Sequence, residues 1–416
     1  MNTGIVSDPN PQLASSDKQQ AATLSRRDGT MRRALSFVWK YVLGMVLCQS
    51  VVGAVMVVGW TYRLMQRTVF KQWWKRSHFH AEGQSFADFL AAGYQTQDHV
   101  CWPNWIVRQR AWAEIRKRAE QGSWSQIRAI FRGAVHSLWS NLKRGAQGLF
   151  NTWVLTLPGC ILWLFAWYDG WNNSFNKGYE QAVIGPVTGI FGVILFIAAM
   201  FYVPMAQARQ AASGQWKTFY QFRLIWGLIR RQWLACLGLA VLYAAFSVPV
   251  TVLKTMPAFF PQINPNLNEA SPDQALAILK TYFFWASLLV FPAYVILRLA
   301  AARVYAAGIL AATQKGAISE DALAEIEWET LHRLDLLQIK PEPQRHFLIR
   351  FMAWAGSRAG RISSGILLAL VWFAFVAQIF ISEFINYHPV KGWLNQPLVQ
   401  LPWFNYIPSH LKKPDE

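Results

Sequence analysis

The side chains best suited to bind a metal ion are concentrated in one stretch of the sequence. They are His78, His80, Glu82, Asp88, Asp98, His99 and Cys101. Imidazole, carboxylate and thiolate groups at His-x-His and His-x-Cys spacings can supply zinc ligands. The intervals are irregular and match no closed site, so we predict a solvated or interfacial loop and assign no metal ligands.

A Glu-x-x-His pair, formed by Glu329 and His332, is the second candidate metal motif. Di-iron bundles use two such pairs with two further Glu residues, and this sequence holds one pair. Ser319 is followed by two acids, a pattern typical of a helix start, because acids stabilise the positive end of the helix dipole. We therefore predict a cytoplasmic amphipathic helix that runs to Leu337, with a solvated acidic face that could dock a basic partner.

Nucleophile and phosphate-binding motifs do not occur in the sequence. It contains no Gly-x-Ser-x-Gly elbow, no Walker loop and no His-Glu-x-x-His zinc motif. The cysteines Cys48, Cys101, Cys160 and Cys236 form no Cys-x-x-Cys pair, and three of them lie in apolar stretches, where cysteine acts as a small hydrophobe. We predict a protein that is not an enzyme and holds no cofactor, and a membrane enzyme using the His78–Cys101 stretch is an alternative.

The composition indicates that a lipid bilayer positions these residues. Of the 416 residues, 53% are hydrophobic and only 15% are charged, and 22 are Trp. Soluble domains carry roughly 25% charged residues, and Trp is enriched at membrane–water boundaries. The formal net charge of +18 would suggest nucleic acid for a soluble protein. Here the basic residues flank apolar blocks, so we predict anionic lipid headgroups as partners and no nucleic acid.

Apolar blocks that approach the length of a membrane-crossing helix, about 20 residues, occur six times in the sequence. They are Tyr41–Tyr62, Gly148–Tyr168, Ile184–Val203, Trp233–Leu253, Thr281–Leu297 and Ile362–Ile381. We predict an all-α polytopic bundle of about six spans with amphipathic interfacial helices. The polar side chains well inside the blocks, Gln49, Asn151 and Gln378, are expected to hydrogen-bond to neighbouring helices.

Prolines lie in or beside several spans, at Pro158, Pro186, Pro204, Pro249 and Pro292. Each removes a backbone hydrogen bond and favours a kink. Secondary transporters use discontinuous helices around a substrate site, but membrane helices also tolerate ordinary kinks when neighbouring groups satisfy the backbone. We favour ordinary kinks.

Basic residues predict which segments face the cytoplasm, because Lys and Arg accumulate in short cytoplasmic loops. Residues 63–147 and 299–361 are rich in base, and the segment between the third and fourth spans carries five basic residues and no acid. The transmembrane bundle proper is assigned to residues 148–383. We predict that the aromatic C-terminal tail, residues 384–416, is external, where it packs along the outer membrane surface or caps the external loops.

The first apolar block, residues 34–62, has basic residues on both sides, which conflicts with a simple crossing. Either the N-terminus is external against its charge, or the block is a re-entrant hairpin that turns near Gln49–Ser50 and Gly53, or a span is miscounted. A hairpin of this kind must be buried by protein. Residues 1–33 are polar, and we predict a disordered tail.

Two segments that precede spans, Gly122–Lys143 and Gly214–Trp233, have aromatic residues at helical spacing beside basic ones. The candidate membrane-interface residues are Trp124, Arg128, Phe131 and Arg132 in the first, and Trp216, Phe219, Arg223, Trp226 and Arg230 in the second. Such helices lie in the membrane plane, with packing on other protein as the alternative. Each segment runs from a Trp to a Pro 33 or 34 positions later, which suggests a duplicated unit.

These patterns predict a non-enzymatic integral membrane protein with an accessory, assembly or membrane-organising role. A transporter or lipid-handling permease that uses proline-broken spans is the first alternative, and the membrane enzyme is the second. We expect a bacterial inner membrane as its location. Anionic lipids are the expected partners, and a second membrane protein is a further candidate.

Overall fold

A computed structural model describes residues 35, 37–93, 123–168, 184–265, 270–339, 347–386 and 390–403. Every regular element among these residues is a helix, as predicted. Five of the helices are long and apolar enough to cross a membrane. The chain is therefore a multi-pass α-helical membrane protein. Our predictions for residues 1–33, for Asp98, His99 and Cys101, and for residues 404–416 lie outside the described residues.

The helices of the first half of the chain include three that are longer than 20 residues. In chain order they are α1 (Phe37–Leu47), α2 (Val51–Trp74), α3 (His78–Ala81), α4 (Phe86–Gly93), α5 (Ser123–Phe165) and α6 (Ile184–Ser213).

The second half of the chain alternates long helices with short ones. A 3-10 turn (Trp216–Tyr220) leads into α7 (Phe222–Arg231), α8 (Trp233–Thr255), a 3-10 turn (Met256–Phe259), α9 (Phe260–Ile263), α10 (Pro272–Gln314), a 3-10 turn (Glu320–Ala322), α11 (Glu325–Arg333), α12 (Phe347–Asn386) and α13 (Val390–Leu394).

The first predicted span is interrupted at Cys48–Ser50, where the hairpin hypothesis places its turn. Ser50 starts α2, and its hydroxyl accepts a hydrogen bond of 3.0 Å from the Gly53 amide. The helix then continues past the predicted boundary at Tyr62 as far as Trp74. Residues 63–74, which we predicted to be cytoplasmic, are therefore part of a helix that packs within the bundle.

Two glycines allow α2 and α5 to cross at backbone distance. A Cβ atom added at Gly59 would lie 1.8 Å from the Asn141 carbonyl oxygen, and one added at Gly145 would lie 1.8 Å from the Val55 carbonyl oxygen. Membrane helices lack a hydrophobic drive to associate, so small residues that permit close packing are favoured at their interfaces. Only glycine fits either position in this crossing.

α10 is one of the helices that contribute to both apolar cores. One core contains Tyr305 of α10 together with Trp73 of α2, and the other contains Val290 of α10 together with Trp163 of α5. α10 is 43 residues long, and it continues to Gln314 through residues that we predicted to be a cytoplasmic segment beginning at residue 299.

The prolines do not end the spans. Pro158, Pro204, Pro249 and Pro292 each lie inside one continuous helix. Pro186 is in the first turn of α6, where its missing amide hydrogen costs no helical hydrogen bond. The helices at these sites agree with ordinary kinks and not with broken spans.

After α12 the chain turns back into the bundle, in what we call the C-terminal segment, Val390–Trp403. The Trp393 ring lies 5.8 Å from that of Trp167 and 5.2 Å from that of Phe380, measured between centroids. Further along, Gln400 reaches Thr156 in the middle of the second predicted span. This part of the predicted external tail is therefore inserted between helices and does not lie along the outer surface.

The irregular backbone of the C-terminal segment is satisfied by polar side chains. Asn395 accepts a hydrogen bond of 3.0 Å from the Leu401 amide and donates one of 3.1 Å to its carbonyl oxygen. The Gln396 amide donates to the Gln400 side chain at 2.8 Å, and the Arg298 guanidinium donates to the Val399 carbonyl oxygen. Non-helical backbone at membrane depth requires such partners within the protein, which explains why this tail is rich in amides.

Candidate functional site

The predicted interfacial helix Gly214–Trp233 is divided in the structure. Gly214 follows α6 with a φ of +71°, a conformation that favours glycine, and the chain then forms the 3-10 turn. Gln221 and Gln232 leave helical geometry, so α7 stands alone between them. The aromatic residues predicted to lie along one continuous helix are therefore distributed over the 3-10 turn, α7 and the first residue of α8.

α7 packs its apolar face on protein, which is the alternative that the sequence left open. Ile225, Leu228 and Ile229 are buried. Arg223 and Arg230, on the opposite face, are exposed. The helix is thus an amphipathic helix whose basic side is available to a ligand.

Phe219 is a correction to the predicted interface residues. Its ring is fully buried and packs edge-on against Tyr202 at 6.0 Å, and its carbonyl oxygen accepts a hydrogen bond from the Tyr202 hydroxyl. Trp226 is half-buried, while Trp216 is 41% exposed. The 3-10 turn rotates Phe219 inward, so the residue cannot contact lipid.

The predicted interfacial segment Gly122–Lys143 is the first half of α5 and not a separate helix. α5 has 43 residues and is about 65 Å long at 1.5 Å per residue, roughly twice the thickness of the hydrocarbon core. Trp124 is 80% exposed and Phe131 is 68% exposed. Arg128 and Arg132 are also exposed. The two predicted duplicate units therefore have different structures, one a single helix and the other three helical pieces.

A basic cleft lies between α7, the start of α8, the segment after α10 and α12. Its volume is about 790 Å³, and it is lined by Arg223, Leu224, Gly227, Arg230, Arg231, Trp233, Ala317, Ile318, Ser319, Ala322 and Arg361. No acid is among the described residues that line it. The cleft brings together two predicted site residues, Arg223 and Arg230, and excludes those of α5.

Arg209, in the last part of α6, holds both walls of the basic cleft. Its Nε donates to the Gln221 side chain at 2.9 Å, directly before α7, and its Nη2 donates to the Ala322 carbonyl oxygen at 2.8 Å on the opposite wall. Nη1 pairs with Glu327 and donates to the Tyr305 hydroxyl at 2.9 Å. The guanidinium is fully buried, so its hydrogen bonds fix the cleft rather than bind a ligand.

Glu320, Asp321 and Glu325 are exposed, as the predicted solvated acidic face requires, but Glu327 is an exception. It is fully buried, and it accepts hydrogen bonds from the Tyr305 hydroxyl at 2.7 Å and from the Ala324 amide at 3.1 Å. Ser319 precedes a 3-10 turn instead of the helix, which begins at Glu325. A buried carboxylate needs such partners because desolvation of a charge is expensive.

The predicted bonding of the polar side chains within the spans is confirmed. Gln49 donates to Ser287 at 2.8 Å, and Gln378 accepts from Ser247. Asn151 donates to the Trp216 carbonyl oxygen at 2.9 Å.

Asn151 also ties the 3-10 turn to α5, because its side chain accepts a hydrogen bond of 3.0 Å from the Tyr220 hydroxyl. Partial burial raises the pKa of that phenol. A phenol is protonated at neutral pH even without this shift, so the hydrogen bond itself holds the segment before α7 against α5.

The candidate metal ligands do not assemble among the residues that the structure describes. His78 and His80 are on α3, where the His80 ring packs against Trp74 at 4.4 Å. His332 stacks on Trp328 at 5.0 Å. No group of three His, Cys, Asp or Glu side chains in the described ranges is arranged to hold a metal ion.

Comparison of the chain with protein-family models, with curated proteins and with solved structures gave no match.

Proposed function

We propose that this chain is a non-enzymatic integral membrane protein that binds and organises anionic lipid at the cytoplasmic face of a bacterial inner membrane. The observation that carries the proposal is the basic cleft, where Arg223, Arg230, Arg231 and Arg361 meet without an acid among the described lining residues. Anionic headgroups of the cytoplasmic leaflet attract basic segments next to a span by about 1 kcal/mol per Lys or Arg.

The exposed stripe of α5 supports the same role. Trp124 and Phe131 are uncovered by the described protein, and Arg128 and Arg132 are exposed beside them. Aromatic and basic side chains on one helix favour the boundary between headgroups and acyl chains. Two surfaces from distant parts of the sequence thus share one kind of partner.

A lipid-handling permease is the second candidate, and the C-terminal segment favours it. Irregular backbone inside a helical bundle, beside a buried charge such as Arg298, is a feature of transporter substrate sites. The continuous helices at the four interior prolines weigh against this candidate.

The proposal is tested by the lipids that purify with the full chain. We expect anionic phospholipids to be enriched over the bulk membrane extract when the protein is isolated in a mild detergent. The combined variant Arg223→Gln, Arg230→Gln, Arg231→Gln should lose most of that enrichment. The matched control, Lys75→Gln, Arg76→Gln, Lys280→Gln, removes the same charge from other exposed sites and should keep it.

Two results would overturn the proposal. One is a lipid content equal to the bulk extract for the unaltered protein. The other is movement of a phospholipid between leaflets of vesicles that contain the purified protein, which would establish the permease instead.

A further inference from the structure

We infer that the basic cleft binds a single phospholipid headgroup that carries two phosphate groups. This inference rests on the proposed function and specifies its ligand. Basic pockets between membrane helices on this side of the bilayer bind headgroups with several phosphates. The arrangement of the arginines selects this class over headgroups with one phosphate.

The arginines of α7 are placed for two separate anions. Arg223 is in the first turn of the helix, and Arg230 and Arg231 are at its end. Arg230 is seven positions after Arg223 in the helix, a rise of about 10 Å. One phosphate cannot be bound by both ends of the helix without folding the side chains inward, whereas two phosphates joined by a short linker match this separation.

The charge of the cleft also favours a doubly charged headgroup. Arg223, Arg230 and Arg231 form no ion pair with any residue that the structure describes. The planar guanidinium fork binds two oxygens of a phosphate at once. A headgroup with one negative charge would leave the remaining guanidinium groups close together and uncompensated, so a second phosphate adds binding energy by pairing with them.

The source of the phosphates is a lipid, because the cleft opens beside membrane-facing residues. Trp233 lines the cleft and is the first residue of α8, and the next residue, Leu234, is 65% exposed. Acyl chains attached to a headgroup in the cleft can therefore follow α8 into the bilayer. A volume of about 790 Å³ also far exceeds that of an inorganic phosphate.

The test measures lipid binding to the full chain by native mass spectrometry. The probes are cardiolipin, which carries two phosphates, phosphatidylglycerol, which carries one, and inorganic pyrophosphate. We expect one tightly held cardiolipin per chain, at least tenfold tighter than phosphatidylglycerol, and no displacement by pyrophosphate at the same concentration.

Two variants separate ligand contact from folding. Arg223→Gln with Arg230→Gln should abolish the preference for cardiolipin, and the control Lys75→Gln with Arg76→Gln should retain it. Arg223→Lys with Arg230→Lys keeps the charge and removes the guanidinium fork, so cardiolipin should bind several-fold more weakly while the fold is unchanged.

Equal affinity for the two lipids would overturn the inference and leave the proposed function standing, provided that both lipids are lost in the glutamine variant. Displacement of cardiolipin by pyrophosphate would also overturn it and would assign the cleft to a soluble phosphate compound. If neither lipid binds the unaltered chain, the inference and the proposed function both fail.

Discussion

The side-chain amide of Gln400 donates a hydrogen bond of 2.8 Å to the hydroxyl of Thr156, a residue 244 positions earlier in the chain. Both groups are buried, and the Thr156 hydroxyl in turn donates to the Thr152 carbonyl oxygen at 2.9 Å. This contact ties the C-terminal segment to the middle of α5. It makes the last part of the described chain a structural element of the bundle.

We predict that Gln400→Ala lowers the free energy of unfolding by about 1–3 kcal/mol, because the buried Gln396 backbone amide loses its acceptor and the Thr156 hydroxyl loses one of its two hydrogen bonds. Thermal unfolding of the protein in detergent measures the change. Ile385→Ala, at an exposed position of α12, is the control and should have little effect. An unchanged unfolding temperature for Gln400→Ala would mean that the contact contributes nothing.

The ion pair between Arg209 and Glu327 gives a second prediction, because both side chains are fully buried. Either Arg209→Met or Glu327→Gln should destabilise the protein by about 3–5 kcal/mol, since the remaining charge loses its partner. The double variant should cost less than the sum of the single changes. A double-mutant cycle on unfolding in detergent tests the coupling, and additive costs would argue against a direct pair.

The crossing of α2 and α5 predicts that a methyl group is not tolerated at Gly59 or Gly145. Alanine at either position would place a Cβ atom 1.8 Å from a carbonyl oxygen, so the helices must separate. We expect a loss of at least about 3 kcal/mol, beyond the usual cost of overpacking. Unfolding of the solubilised protein in detergent measures the loss.

Gly238 provides the matched control for that experiment. It lies in α8, and a Cβ atom added there meets nothing within 4 Å. Gly238→Ala should therefore be neutral or stabilise by about 0.5–1 kcal/mol, because alanine loses less backbone freedom in a helix. Equal behaviour of the three alanine variants would show that the crossing is not close.

Cysteine reactivity gives a fourth prediction about the C-terminal segment. Cys160 is fully buried, and its sulfur lies 3.8 Å from the Gln400 side-chain nitrogen. We expect a bulky maleimide reagent to leave Cys160 unmodified in the folded protein and to modify it after denaturation, as measured by peptide mass spectrometry. Rapid modification under native conditions would place the C-terminal segment elsewhere.

Hydropathy alone was sufficient to predict the helical class and five of the spans, because helix length in a membrane follows bilayer thickness. The interruption at Cys48–Ser50 lies where one of the three alternatives for the first block, the re-entrant hairpin, places its turn, but hydropathy did not choose among the three. The sequence could not predict that Phe219 is buried. Residues spaced three and four positions apart share a face only when the helix is continuous. The two glutamines that end helical geometry carry no distinctive sequence signal for a break.

The partners of the buried charges could not be predicted from local patterns. Arg209 and Glu327 are 118 positions apart, and Lys254 pairs with Glu383 at a separation of 129. A charge-counting rule assigns such residues to solvent-facing loops and cannot indicate which of them are buried. One sequence feature does indicate burial, namely a tail rich in Asn and Gln beside a charged residue. Side-chain amides can hydrogen-bond to backbone groups that are buried.

The position of the C-terminal segment has a consequence for biogenesis. The ribosome makes residues 390–403 after every helix that encloses them, and chains fold from the N-terminus during synthesis. The helices that surround the C-terminal segment are therefore incompletely packed until residues 390–403 insert between them. These helices are α5, α8, α10 and α12. During that interval the Arg298 guanidinium can donate to the Tyr243 hydroxyl but not to the Val399 carbonyl oxygen, so this second hydrogen bond forms only after synthesis has passed residue 399.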